Sequence, residues 1–141
     1  MAKICSFLKI SGLLVGSALV NLLGGFDQAL IILCIFMAID IITGVIVAAV
    51  FKNSGKTETG KLDSRAMIKG LFRKIGIFLA VIIAVQLDCL IGSNVIRSGA
   101  IIAFAVSELL SIVENMGLMG LKMPKVITNA INALNKDKAD D

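Results

Sequence analysis

The chain has 141 residues, a formal net charge of +4, 57% hydrophobic residues and a mean hydropathy of +0.96. The length suits a single small domain. Soluble domains are only about 45–50% apolar, so the composition indicates a membrane protein. The chain has no His, Trp or Tyr and no Gly-rich phosphate loop, metal cluster or paired nucleophile and base. We therefore expect no enzyme activity, no cofactor and no metal site.

Four apolar segments follow one another along the chain, at about residues 4–23, 28–51, 75–91 and 95–121. Short turns around Gly24-Gly25 and Gly92-Ser93-Asn94 separate the first pair and the last pair. The pattern predicts an all-α integral membrane protein whose single membrane domain covers residues 1–141. Three to four transmembrane helices are expected, and four are favoured. The first segment is short and polar in places, so it could instead lie on the membrane surface, leaving three.

The second segment carries one charge, Asp40, at its centre. A mid-bilayer Asp costs about 2.5–3.5 kcal/mol, which the surrounding Leu, Ile, Val and Phe residues outweigh. Such a carboxyl is expected to face protein or water instead of lipid. Thr43 and Gly44 lie on the same small, polar face, which predicts either close helix packing or a role in assembly.

The loop of residues 52–74 is strongly basic. The positive-inside rule therefore places it in the cytoplasm. Asp63 or Ser64 is a suitable helix cap, and the residues that follow predict an amphipathic helix before the third span. Its basic face, expected on the inner leaflet against anionic membrane lipids, comprises Arg65, Lys69, Arg73 and Lys74. The alternative is an ordinary basic loop that only sets the topology.

The fourth segment carries a polar stripe. Projected as a helix, five residues fall within an arc of about 120°: Ser107, Glu108, Ser111, Glu114 and Asn115. A polar stripe in a membrane must be hidden against other helices or around water. It is interpreted either as a static packing seam or as a face that lines a water-filled lesion after assembly.

Two charged residues flank the turn at Gly92-Ser93-Asn94. Asp88 lies near the end of the third segment and Arg97 near the start of the fourth, and their spacing suggests an ion pair. The polar C-terminal tail of residues 122–141 contains a helical pattern after Pro124, which predicts a short interfacial helix.

These motifs together resemble the phage-lysis and toxin-secretion holin family. The resemblance rests on the Asp40-to-Gly44 motif, the Lys69-to-Lys74 motif in the basic loop, and the block from Glu108 to Asn115 followed by Pro124. It covers about residues 31–126. It implies a homo-oligomer of the bacterial inner membrane that forms large lesions passing an endolysin or a toxin as cargo, with no nucleic acid as partner.

Two other functions fit the residues. A small ion channel or proton-coupled exporter could use Asp40 and Glu108. An antiholin-type regulator or membrane anchor would insert and oligomerise without killing the cell by itself.

Overall fold

The computed structural model describes residues 2–52, 54–56 and 61–136, and the side chains of residues 11–52, 54–56 and 61–133. The regular structure of these residues is entirely helical: α1 (Ala2–Leu22), α2 (Gln28–Ile46), α3 (Ser64–Ile91), α4 (Val95–Leu118) and α5 (Lys125–Lys136). Residues 53 and 57–60 of the predicted basic loop and residues 137–141 of the polar tail lie outside the described residues.

Helix α2 starts at a side-chain cap and continues into a π-helical turn. Asp27 adopts extended backbone and accepts a hydrogen bond from the Leu30 amide at 3.0 Å, satisfying one free N–H of the first turn. At the other end the helix continues as a π-helical turn, Val47–Phe51. Lys52, with φ of 50°, then terminates it in the left-handed region. The whole apolar run from Gln28 to Phe51 is therefore helical.

Helix α3 is longer than the sequence pattern predicted. Asp63 caps it by accepting from the Arg65 amide at 2.9 Å, and Gly92, with φ of 67°, ends it. The expected amphipathic helix and the expected third span, 75–91, form one unbroken helix from Ser64 to Ile91. A separate helix on the membrane surface is therefore not confirmed.

The last two helices are joined by a short connection. Helix α4 stops at Leu118, three residues before the predicted boundary at 121, because the chain turns through Gly120 with φ of 81°. The helix predicted after Pro124 is present as α5, and its Ile131 is 3% exposed. Helix α5 packs against α4.

Three helices are long and apolar enough to cross a membrane: Gln28–Phe51, Ser64–Ile91 and Val95–Leu118. In the described part of the chain, α1 contributes only a shorter apolar stretch, Ser11–Leu22. A fourth span is therefore not confirmed.

Helix α4 organises the bundle, since it packs against both α2 and α3. The core comes from all three helices: Leu30, Leu33, Met37, Ile77, Val81 and Ile101. Large apolar side chains also cover the outside, with Leu90 81% and Phe72 68% exposed. Such a surface is unusual for a soluble monomer and is expected of a protein surrounded by lipid.

Candidate functional site

Three charged side chains, one from each long helix, meet inside the bundle. Lys74 of α3 donates from Nζ to Asp40 Oδ2 of α2 at 2.6 Å and to Glu108 Oε2 of α4. All three residues are buried, with Asp40 8%, Lys74 6% and Glu108 0% exposed. We call this cluster the buried triad. It lies near the middle of α2 and of α4, at the level expected for the interior of a membrane.

Polar side chains of α2 and α4 extend the triad. Asn115 donates from Nδ2 to Asp40 Oδ1 at 3.2 Å and to Thr43 Oγ1 at 3.0 Å. The Thr43 hydroxyl donates in turn to the Ile39 carbonyl at 2.9 Å. Gly44 lies beside this contact, and a Cβ there would be 3.7 Å from Asn115 Nδ2. A side chain as small as that of glycine or alanine therefore fits where the polar groups of the two helices meet.

Two further basic residues contact the polar stripe of α4. Lys56 Nζ lies 3.4 Å from Ser111 Oγ and 4.0 Å from Asp40 Oδ1, and its side chain is 56% exposed. Arg73 donates to Ser107 Oγ at 3.3 Å. Lys56 comes from the connection between α2 and α3, so this connection is linked to the triad through one exposed cation.

Each charged side chain of the triad would be costly to bury without the other two. Desolvating an ion costs several kcal/mol, and a buried pair recovers this only when its geometry and hydrogen bonds are good. Asp40 receives donors on both oxygens, from Lys74 and Asn115. Glu108 Oε1, by contrast, has no hydrogen-bond partner among the described residues. The site therefore holds the three helices together while leaving one acceptor unused.

Most of the predicted polar faces come together in this site. Asp40, Thr43 and Gly44 of α2 meet Glu108, Ser111 and Asn115 of α4, with Ser107 at the edge. Glu114 does not join them, because it lies on the exposed side of α4.

The structure corrects the predicted position of Lys74. Arg65, Lys69 and Arg73 are exposed as expected of a basic face, whereas Lys74 is buried. Its helical phase gives the reason: Lys74 falls in register with Ile77, Val81, Ala84 and Asp88, all on the buried face of α3. This periodicity was the sequence signal that could have identified Lys74 as an interior residue.

At the end of the bundle where α3 connects to α4, Asp88 caps α4. Its carboxylate accepts from the amides of Ile96 at 3.1 Å and Arg97 at 2.7 Å. The predicted ion pair between the Asp88 and Arg97 side chains is therefore wrong. The free N–H groups at the start of α4 are the partners of the carboxylate, because a helix N-terminus attracts negative charge.

The Arg97 guanidinium binds the turn between α1 and α2. It donates from Nε to the Leu23 carbonyl at 2.7 Å, from one terminal nitrogen to Asp27 Oδ2 at 2.6 Å, and from the other to the Gly25 carbonyl at 3.1 Å. We call these contacts the arginine clamp. The hydrogen bond from Arg97 lowers the pKa of Asp27, and the hydrogen bond from the Leu30 amide lowers it further.

A cleft of about 330 Å³ lies between the second half of α2 and the first half of α3. Its walls are mostly apolar and include Ile41, Met67 and Leu71, while Asp40 and Lys74 of the triad and Lys56 also line it. The cleft thus joins the triad to the connection between the two helices. In the described residues, no group of acidic or cysteine side chains is arranged to hold a metal ion.

Comparison with known proteins gives consistent matches along the chain. The sequence profile of the bacteriophage holin family matches residues 17–136. A probable holin of Bacillus phage phi105 is 39% identical over 100 residues, covering 70% of this chain and 68% of that protein. An uncharacterized protein of Listeria innocua is 33% identical over 135 residues, covering 95% of this chain and 91% of the relative. An uncharacterized protein of Bacillus subtilis is 36% identical, covering 86% of this chain and 81% of the relative. No solved structure matches the chain.

Proposed function

The chain belongs to the bacteriophage holin family, and we propose that it is itself a holin. It accumulates in the bacterial inner membrane and oligomerises with further copies of itself. It then forms lesions through which an endolysin passes and lyses the host cell. The observation that carries this proposal is a bundle of membrane-length helices whose polar faces are turned inward, in a chain of this family. A large toxin is the alternative cargo.

We propose that the chain is oriented by its basic residues. Seven of them occur between residues 52 and 74, so this region lies in the cytoplasm. Helices α2, α3 and α4 then cross the membrane in alternating directions, with the arginine clamp at the outer end. Helix α1 crosses as a fourth span, which places both termini in the cytoplasm. The exposed basic face of Arg65, Lys69 and Arg73 lies against anionic lipids of the inner leaflet.

The inward-facing polar groups suggest how a lesion opens. In the single chain, the polar faces of α2 and α4 satisfy each other through Asp40, Thr43 and Asn115. Lipid offers no hydrogen bonds, so these faces stay together while the protein is dilute. When copies are crowded, α4 parts from α2 and the released polar faces line water between neighbouring copies. The packing seam and the lesion lining are then the same residues in two states.

Lysis in a controlled host tests this proposal. The protein is induced in a bacterium that also makes a cytoplasmic endolysin without an export signal, and turbidity and release of a cytoplasmic enzyme are followed with time. We expect abrupt clearing after a delay only when both proteins are present. Each protein expressed alone is the control.

Two other outcomes would contradict the proposal. Growth arrest with ion leakage but without clearing would indicate a narrow channel or exporter that uses the triad. Insertion without leakage or clearing would indicate an antiholin-type regulator.

A further inference from the structure

The two carboxyls of the buried triad do not accept the same number of hydrogen bonds. Glu108 is fully buried, accepts from Lys74 on Oε2, and has no partner for Oε1 among the described residues. Asp40 accepts from Lys74 on one oxygen and from Asn115 on the other. Hydrogen bonds to a carboxylate favour its charged form. Glu108 is therefore the carboxyl of the triad that is less stabilised as an anion.

The triad also has unbalanced charge. With both carboxyls ionised, Lys74 neutralises only one of them, and an uncompensated charge in a protein interior within a membrane is costly. Among the described residues, a second cation near Asp40 is Lys56, whose Nζ is 4.0 Å from Asp40 Oδ1. Among the described residues, two other charged groups border the site: Arg73, bonded to Ser107, and Asp63, which lines the cleft with Lys56.

We propose that Glu108 is a proton-binding site, and that its proton and the Lys56 side chain are alternative ways to neutralise the triad. With the proton on Glu108 Oε1, Asp40 and Lys74 remain as a neutral pair and Lys56 is released. When the proton leaves, Lys56 is drawn to Asp40. Burying a neutral carboxyl costs less than burying a charge.

This exchange couples the proton to the cytoplasmic side of the bundle. Lys56 belongs to the connection between α2 and α3, and the cleft that it lines reaches Asp40 and Lys74. Glu108 itself does not line the cleft, and Lys74 connects the cleft to it. Because coupling between two sites is reciprocal, removing the Lys56 charge must change the proton affinity of Glu108.

Infrared spectroscopy of the full chain in lipid nanodiscs tests the proposal, through the carbonyl band of protonated carboxyls during a pH titration. At pH 7 we expect a band that disappears in Glu108→Gln. Glu114→Gln is the control, since Glu114 is an exposed carboxyl on the same helix. We expect Lys56→Met to increase the proton affinity about tenfold, one unit on the titration axis. Lys122→Met, which removes an exposed charge elsewhere, should leave it unchanged.

Either of two results would overturn the proposal. One is a neutral-pH spectrum in which Glu108→Gln and wild type are the same. The other is a titration in which Lys56→Met and Lys122→Met coincide. If Glu108→Gln does not fold, the two lysine variants decide the question, since both keep Glu108. Lysis plays no part in this measurement, so its outcome is independent of whether the protein is a holin.

Discussion

Lys74 is the residue on which the buried triad depends. It is the shared partner of two buried carboxyls from two different helices. Replacing it with Met leaves both carboxyls without their cation, and losing one partner of a buried pair costs about 3–5 kcal/mol. We therefore expect Lys74→Met to be strongly destabilised against denaturant in detergent, followed by circular dichroism.

The matched control is Lys69→Met, which removes the same charge from the exposed face of α3. It should be close to wild type. Combining Lys74→Met with Asp40→Asn and Glu108→Gln replaces both carboxyls with neutral amides and should recover much of the loss. If Lys74→Met and Lys69→Met were equally stable, the triad would not support the fold.

Asp27 provides a pH-dependent contact in the arginine clamp. Its pKa is lowered from the ordinary 3.8, mainly by the hydrogen bond from Arg97. A carboxyl with a lowered pKa contributes stability above its ordinary pKa, and this contribution disappears as the pH falls through the lowered value. Since the Asp27 side chain is 49% exposed, solvent screens the pair and the contribution is at most about 1 kcal/mol.

Comparison with Asp27→Asn measures this contribution. We expect wild type to be more stable than Asp27→Asn at neutral pH. The difference should shrink below about pH 4, where the unfolded carboxyl takes up its proton. A difference that did not change with pH would mean that the Asp27 charge does not contribute.

At the scale of single residues, the sequence identified the polar residues but not all of their partners. Asp40, Glu108 and Asn115 were predicted from their position on apolar helices, because few physical environments accept such groups in a membrane. The partners of Lys74 and Arg97 could not be predicted in the same way. They depend on how three helices rotate against one another and on which carbonyls a turn exposes, and neither is local to the sequence.

At the scale of helices, Gly44 of α2 lies where the helix faces Asn115 of α4. A Cβ at this position would make ordinary contact with Asn115 Nδ2 at 3.7 Å, whereas a larger side chain would enter the space of Asn115. We expect Gly44→Ala to be tolerated. Gly44→Leu should separate the helices, break the hydrogen bonds of Asn115 to Asp40 and Thr43, and lower stability by about 1–3 kcal/mol.

The same two variants test whether the packing of α2 against α4 controls the time of lysis. If lysis requires α4 to leave α2, then Gly44→Leu should lyse the induced culture earlier than Gly44→Ala at equal membrane abundance, as determined by immunoblotting. Equal lysis times, with Gly44→Leu measurably less stable, would indicate that this seam does not control opening.

Helix boundaries show where sequence patterns are reliable. The glycine turns and the apolar runs predicted α2 and the α3–α4 turn well, because a left-handed glycine and a long apolar run have few alternatives. The continuity of α3 was missed, although its cap at Asp63 was predicted, because its first turns are amphipathic and its later turns apolar. Hydropathy divided one helix into two, although its backbone continues without a break from Ser64 to Ile91.

For the whole molecule, the number of spans determines on which side the N-terminus lies. The proposed arrangement places the turn around Asn94 outside and the regions around Lys61 and Lys122 inside, because α2, α3 and α4 alternate in direction. If α1 also crosses, residue 3 is cytoplasmic. If it lies on the outer surface, residue 3 is outside. Both orientations keep the arginine clamp intact, so packing at Arg97 does not distinguish them.

Thiol labelling separates these arrangements. The three native cysteines are replaced with Ala, and single cysteines are introduced as Lys3→Cys, Lys61→Cys, Asn94→Cys and Lys122→Cys. With a membrane-impermeant maleimide, we expect Asn94→Cys to react in intact spheroplasts and the other three to react only after permeabilisation. Reaction of Lys3→Cys in intact spheroplasts, with Lys61→Cys still protected, would exclude a spanning α1. The lesion would then be built from α2, α3 and α4 alone, and α1 would remain at the outer surface, where Arg97 binds the turn that follows it.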